Sequence, residues 1–295
     1  LARSQYVAKK VVLARERSVP ADCAVLVLAG PQTDPLPQVV EAVRAFVAGG
    51  GKAMVLAEPA LKNPTPNLDG LLAGWSLEPG DDVVVDVSGM GQLFGAGELT
   101  PMVADYPFHE ITRGFRVMTA FHEARSLQAA AEPAPGVVAQ NLVQTSEASW
   151  AESDLALKDP IQLDAKDRKG PIALGAVVTV AVAAPPAPEP SPDASPAPAP
   201  ETAPPPPREG RVVAIGDADF ASNALLPFQG NRDFFLNAVA WLAQDADLIA
   251  IRPREPDDQR MNLSQIQQQV VAFVALLLLP GLFVALGVWT WWKRR

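Results

Sequence analysis

The chain has 295 residues, 48% of them hydrophobic and 19% charged, with 24 basic against 33 acidic residues and a formal net charge of −9. That balance excludes an acidic disordered tail, a collagen-like rod and a polybasic nucleic-acid binder, and the single cysteine excludes a disulfide framework or a cysteine-based zinc site. Thirty prolines, about twice ordinary usage, mark linker rather than core wherever they cluster.

The sequence opens at Leu1 inside what already reads as structured chain, so it is expected to be the downstream piece of a longer protein. Val11–Leu13 is a candidate strand. Ala24–Ala29 (AVLVLA) is a short apolar run of the buried parallel-strand kind. Asp34-Pro35 then offers an N-cap and a proline for a first helical turn. Leu36, Val39, Val40, Val43, Phe46 and Val47 follow at helical spacing, on one face. Gly49-Gly50-Gly51 closes that helix, and Lys52–Ala57 is the next strand, which makes a right-handed strand–helix–strand crossover. Val83–Val87 and Val117–Thr119 are weaker strand candidates.

Ile172–Ala184 is apolar and β-branched, and Arg211–Gly216 (RVVAIG) is a further strand. If the two are neighbours, residues 185–209, with 12 prolines in 25 positions, form a long hairpin-like excursion that cannot bury enough surface to order itself. A polar turn, Asp217–Asn223, follows the second strand. Asn231 is then placed as the cap of a helix carrying Phe235, Ala238, Val239 and Leu242 on one face.

Val270–Trp292 is 23 residues without a charge, enough at 1.5 Å per residue to span the hydrocarbon layer of a bilayer. Pro280-Gly281 is a kink site that membrane helices tolerate. Trp289, Trp291 and Trp292 beside Lys293, Arg294 and Arg295 read as an aromatic belt with snorkelling cations, which anchors the helix and favours a cytoplasmic C-terminus. Setting that basic triplet aside leaves 21 basic and 33 acidic residues, a net of −12 that suits an outward-facing domain. The expected organisation is an extracytoplasmic α/β domain over 1–184 and 210–250, the proline insertion over 185–209, a juxtamembrane linker over 251–269, a transmembrane helix over 270–292 and a basic tail over 293–295. The fold class is α/β, a mostly parallel sheet with flanking helices plus one C-terminal transmembrane helix.

No motif supplies convincing chemistry. Gly49-Gly50-Gly51-Lys52 closes a helix instead of opening one and lacks the Ser/Thr of a phosphate loop. Cys23 sits at a strand entrance without a nucleophile elbow and reads as a small packing residue. His109 and His122 have no partner at metal-ligand spacing and read as structural or interface residues. Asp217 and Asp219 lie past the carboxyl end of a strand, where open α/β sheets place ligands and two carboxylates hold a cation. Residues of that type in such a turn more often cap a helix or satisfy loop amides. Asn262-Leu263-Ser264 matches the glycosylation triplet, a cheap match.

The blocks AVLVLAGPQTD, GGGKAMVLAEP, YPFHEITRGF, FHEARSL, RVVAIGDADFASN, GNRDFFLNAVAWLA and the terminal WWKRR, in this order, resemble the auxiliary component of Gld-type, gliding-motility ABC transport systems. The resemblance implies an amidotransferase-like or flavodoxin-like domain without the catalytic set and without a cofactor. It would be held at the bacterial cytoplasmic membrane, and would act with an ABC-2-type permease, an ATPase and membrane lipid. Asp217, Asp219, Asn223, Asn231, Asp233, Asn237 and His109 match recurring polar blocks and are ligand or interaction candidates. The expected function is a non-enzymatic transport subunit. The alternatives are a divergent amidotransferase-like hydrolase using Asp217 and a histidine, and an extracytoplasmic small-ligand sensor.

Overall fold

A computed structural model describes residues 6–60, 63–154, 156, 161–182, 209–243, 273–274 and 279–294. Two compact units divide the chain, Leu1–Ala250 and Ile251–Arg295. The first opens with one helical turn, α1 (Leu13–Glu16), where the sequence suggested a strand at Val11–Leu13.

The expected crossover follows as β1 (Leu26–Ala29), α2 (Pro37–Ala48) and β2 (Lys52–Leu56), with β1 and β2 paired in parallel from Leu26↔Ala53 to Ala29↔Leu56. Pro37, not Pro35, stands in the first turn of α2, where its missing N–H costs nothing. Asp34 does not cap α2. Its carboxylate accepts the backbone N–H groups of Asn67 (3.0 Å) and Leu68 (3.2 Å), in the first turn of α3 (Pro66–Ala73). The carboxylate therefore satisfies the orphan donors of a different helix and complements its dipole. The run Gly49–Gly51 ends α2, Gly50 in the left-handed region (φ +93°) and Gly51 so close to the Phe46 ring that a Cβ has no space.

Smaller elements come next: β3 (Leu77–Pro79), β4 (Val83–Asp86), a four-residue helix α4 (Met90–Leu93), β5 (Met102–Val103), β6 (Thr119–Ala120) and β7 (Leu127–Ala129). Then follow β8 (Val137–Gln144), β9 (Ser149–Glu152), β10 (Arg168–Lys169), β11 (Ala173–Ala181), β12 (Glu209–Ile215) and α5 (Asn231–Leu242). The principal sheet runs β1-β2-β12-β11-β8. Its first three strands are parallel, but β12, β11 and β8 pair antiparallel, and three small antiparallel sheets (β10-β9-β4, β3-β7, β5-β6) surround it.

The fold is therefore mixed α/β with antiparallel sheets, not the mostly parallel sheet expected. The cause is local. The chain returns from β11 to β12 beside itself, Ala181 opposite Glu209 and Gly175 opposite Ile215, so no crossover helix exists to make the pair parallel. Residues 183–208, nearly all of the expected proline insertion, lie outside the described residues; Glu209 is the first residue of β12.

Alternation along β2, β11 and β12 sends Met54, Leu56, Val177, Val213 and Ile215 into one buried cluster with Phe220, Phe234 and Val239. Ala53, Val55, Ala176, Val178, Val212 and Ala214 go into a second with Val43, Val47, Leu68 and Leu72. Helix α5 covers one face of the sheet, and α2 with α3 the other.

In the second unit the described helix is α6 (Leu279–Lys293), 15 residues long. At 1.5 Å per residue it covers about 22 Å, short of the roughly 30 Å hydrocarbon layer, and no helix among the described residues is long and apolar enough to cross a membrane. This corrects the expected transmembrane helix over 270–292. Pro280, expected to kink such a span, stands in the first turn of α6, where proline starts helices. Residues 270–272 and 275–278 of the apolar run, the linker 251–269 and Arg295 lie outside the described residues. Trp289, Trp291 and Trp292 are exposed, and the Lys293 ammonium lies 5.4 Å from the centre of the Trp289 ring.

Candidate functional site

The carboxyl ends of β1, β2 and β12 converge, and each is followed by a residue that the local geometry dictates. Gly30 leaves β1 with φ +50°, its missing Cβ space taken by Ala218. Glu58 follows β2. Gly216 follows β12 so closely against the Arg125 carbonyl that no side chain fits; its own carbonyl accepts the Arg125 N–H at 2.7 Å.

Asp217 comes next and is fully buried. Its Oδ1 accepts the N–H of Asp219 (2.6 Å), and its Oδ2 accepts those of His122 (2.9 Å) and Phe220 (3.2 Å). The side chain thus ties its own turn, a 3-10 turn over Asp219–Ala221, to the loop after β6. Burial, with the negative charge of Glu58 adding to it, pushes Asp217 up to about 8 despite the amide donors that pull the other way. Glu58 is raised in the same direction by burial, while its Oε1 accepts the Ala218 N–H at 2.7 Å.

The carboxylate oxygens of Glu58, Asp217 and Asp219 come within 4.8 Å of one another, a spacing compatible with a cation. The donor set does not fit one well. Both oxygens of Asp217 and one of Glu58 already accept backbone amides, as loop carboxylates do. Asp219 is the exposed member.

The two histidines do not join this cluster as side chains. His122 offers Asp217 its backbone N–H, while its ring Nδ1 lies 2.9 Å from Thr100 Oγ1 at the rim of a cavity of about 450 Å³ that Gln92, Glu98 and Ile161 also line. His109 packs edge-on against Trp241 of α5, ring centres 5.0 Å apart, and its Nδ1 accepts the Ile111 N–H. Burial holds its imidazole below the ordinary pKa. The polar block around it is a folded loop: Thr112 donates to the Pro107 carbonyl, and the half-buried Tyr106 hydroxyl, pushed up to about 12 by burial, reaches Val103 and Thr119.

Asn231 is no helix cap. It is fully buried in the first turn of α5, with Gly230 at the cap position. Its Nδ2 donates to the carbonyls of Ala120, Phe220 and Leu225, and its Oδ1 accepts the Ala120 N–H, so one amide satisfies three loops. Asn237 donates to the Ile111 carbonyl. Asn223 and Asp233 are exposed, the latter in the first turn of α5, where the helix dipole favours a carboxylate.

Sequence reasoning missed Glu58 and Arg125. Arg125 is 1% exposed; its Nε donates to the Gly80 carbonyl at 2.7 Å and its Nη1 pairs with Asp69 at 3.0 Å, binding the carboxyl edge of the sheet to α3. Both residues stand in motif blocks, AEP and HEARSL, that were visible as blocks but carried no assigned role.

Among solved structures, the mmIFT52 N-terminal domain superposes with a TM-score of 0.51 at 14% identity, covering 82% of this chain and 87% of that one. At that identity the likeness is one of fold alone. No curated protein matches. A profile of the family described as "ABC-type uncharacterized transport system" matches residues 2–238. The match takes in the sheet, the carboxyl-edge cluster and most of α5, and the chain belongs to that family, whose name associates its members with an ABC-type transport system.

Proposed function

We propose that this protein is a non-enzymatic auxiliary subunit of an ABC transport system of the Gld type. It works with an ABC-2-type permease and a separate ATPase at the bacterial cytoplasmic membrane, its α/β domain on the extracytoplasmic side. The observation that carries this reading is how the polar groups at the carboxyl edge are used. A catalytic constellation keeps an oxygen or nitrogen aimed at substrate. Here the oxygens of Asp217 hold the amides of His122, Asp219 and Phe220, and the amide of Asn231 holds three loops. The site therefore builds a rigid surface. Asp219, Asn223 and Asp233, exposed around the start of α5, are its contact positions for a partner, with His109 a supporting residue.

Charge distribution supports the orientation. A body of net −12 is repelled by an anionic lipid surface, while Lys293, Arg294 and Arg295 are drawn to one. The test is affinity purification of the tagged full chain from its own bacterium in mild detergent. A permease and an ATPase recovered in fixed ratio are expected. A folded, tagged protein that brings down neither overturns the proposal.

A further inference from the structure

The outer edge of β1 is open. It is the first strand of the principal sheet and pairs only with β2. Gly30 donates its N–H to the Leu56 carbonyl, which sets the phase of the parallel ladder: Leu26, Leu28 and Gly30 turn their backbone groups toward β2, and Val27 and Ala29 turn theirs away. No hydrogen bond to the amide or carbonyl of Val27 occurs among the described residues, and its side chain is 40% exposed.

Beside this edge lies a cavity of about 790 Å³, lined by Val25, Val27, Val39 of α2 and Phe235 and Val239 of α5. The N-terminal segment crosses it without forming a strand. Tyr6 packs with the cluster on the α5 face, and Val11 and Leu13 with the cluster on the α2 face, so residues between them span the edge crosswise. Lys9 and Lys10 also line the cavity, Lys9 paired with Asp22 at 2.6 Å, and Arg15 and Arg17 are exposed on and just after α1. This rim is positive in a chain whose net charge is −9.

We infer that the β1 edge is a docking site for an extended, apolar strand with acidic flanks, supplied by a partner polypeptide and added to the sheet as a sixth strand. Two physical requirements select this occupant. A lipid or other apolar ligand filling the cavity would cover the backbone groups of Val27 without satisfying them, a costly desolvation, whereas a strand supplies both donor and acceptor. A strand at this position also needs apolar side chains on both faces, which Val39 offers on one side and Phe235 and Val239 on the other. The flanking charge follows from Lys10 and its neighbours. The inference stands apart from the transport reading, since an edge of this kind accepts a strand whatever the partner's role.

The experiment uses the full chain and a short fluorescein-labelled peptide of alternating valine and threonine between terminal glutamates. Saturable binding is expected in fluorescence anisotropy, weakened about tenfold by N-methylation of one central peptide amide or by Val27→Pro. Proline at Val27 removes only an outward N–H, as edge strands tolerate, and the methylated peptide repeats the test without altering the protein. Lys10→Glu should weaken binding severalfold, more at low salt. Binding indifferent to both Val27→Pro and methylation overturns the inference. So does uptake of sodium laurate without peptide binding, or a self-dimer that Val27→Pro dissolves in the absence of any peptide binding.

Discussion

The protonation of Asp217 gives the sharpest check on the carboxyl edge. Its folded pKa of about 8, against an ordinary 3.8, means that between those pH values the unfolded chain gives up a proton the folded chain keeps. The sign follows directly. Whatever stability this group contributes is whole below about pH 4 and is lost as pH rises through 8. Each pH unit in that interval is worth about 1.4 kcal/mol, so the full span of roughly four units sets a ceiling of about 6 kcal/mol. Relaxation and water entry around the ionised carboxylate bring the expected loss to about 2–4 kcal/mol.

Asp217→Asn isolates that slope, because asparagine does not titrate. At pH 5 the variant should be less stable than the natural protein by about 1–3 kcal/mol, since its NH2 must face one of the amide donors from His122, Asp219 or Phe220. The gap should narrow as pH rises and vanish or reverse by about pH 8.5. Urea unfolding of both proteins at intervals from pH 5 to 8.5 measures it, and taking their difference cancels most other titrations. A gap constant across the range would show that Asp217 is ionised throughout, stabilised by its amides, and the argument from burial would be wrong.

Three further outcomes follow from the same contacts. Arg125→Met removes a guanidinium that is 1% exposed and pairs with Asp69, and should cost about 3–5 kcal/mol in urea unfolding. Asp69→Asn should cost markedly less, because that carboxylate is one-third exposed and already partly solvated. Gly216→Ala drives a Cβ into the Arg125 carbonyl and should lower stability by about 2 kcal/mol or more, whereas Gly70→Ala, inside α3 with open space beside it, should raise stability by about 0.5–1 kcal/mol. Equal effects from the two alanines would refute the close approach at Gly216. Millimolar magnesium should leave the melting temperature unchanged, since the carboxylates of Asp217 and Glu58 are engaged by amides; a stabilisation that Asp217→Asn abolishes would make the cluster a cation site.

What the sequence made legible, and what it hid, divides along the distance over which each signal acts. The β1–α2–β2 unit could be read because its information is local: an apolar run, a helical stripe and three glycines within 28 residues. The β11–β12 hairpin could be read as an adjacency of two apolar runs, but the orientation of the sheet could not, because it turns on β8 pairing with β11 on the far side. At the carboxyl edge, Asp217 was visible from its place just past a strand. Glu58 was not, since the amide it accepts belongs to Ala218, 160 residues away, nor was Arg125, whose partner Asp69 is 56 residues away. Asn231 and Asp34 were misplaced for one reason. A capping rule looks for orphan N–H groups within the next turn, but a folded chain gathers orphan backbone groups from every loop it buries, and Asn231 serves Ala120, 111 positions back, before any donor of its own helix. Asp, Asn and Arg are the residue types that satisfy buried loops and also those that build sites. In this protein the geometry assigns most of them to the first task, which leaves the open edge of β1 and the exposed residues around the start of α5 as the surfaces with bonds still to make.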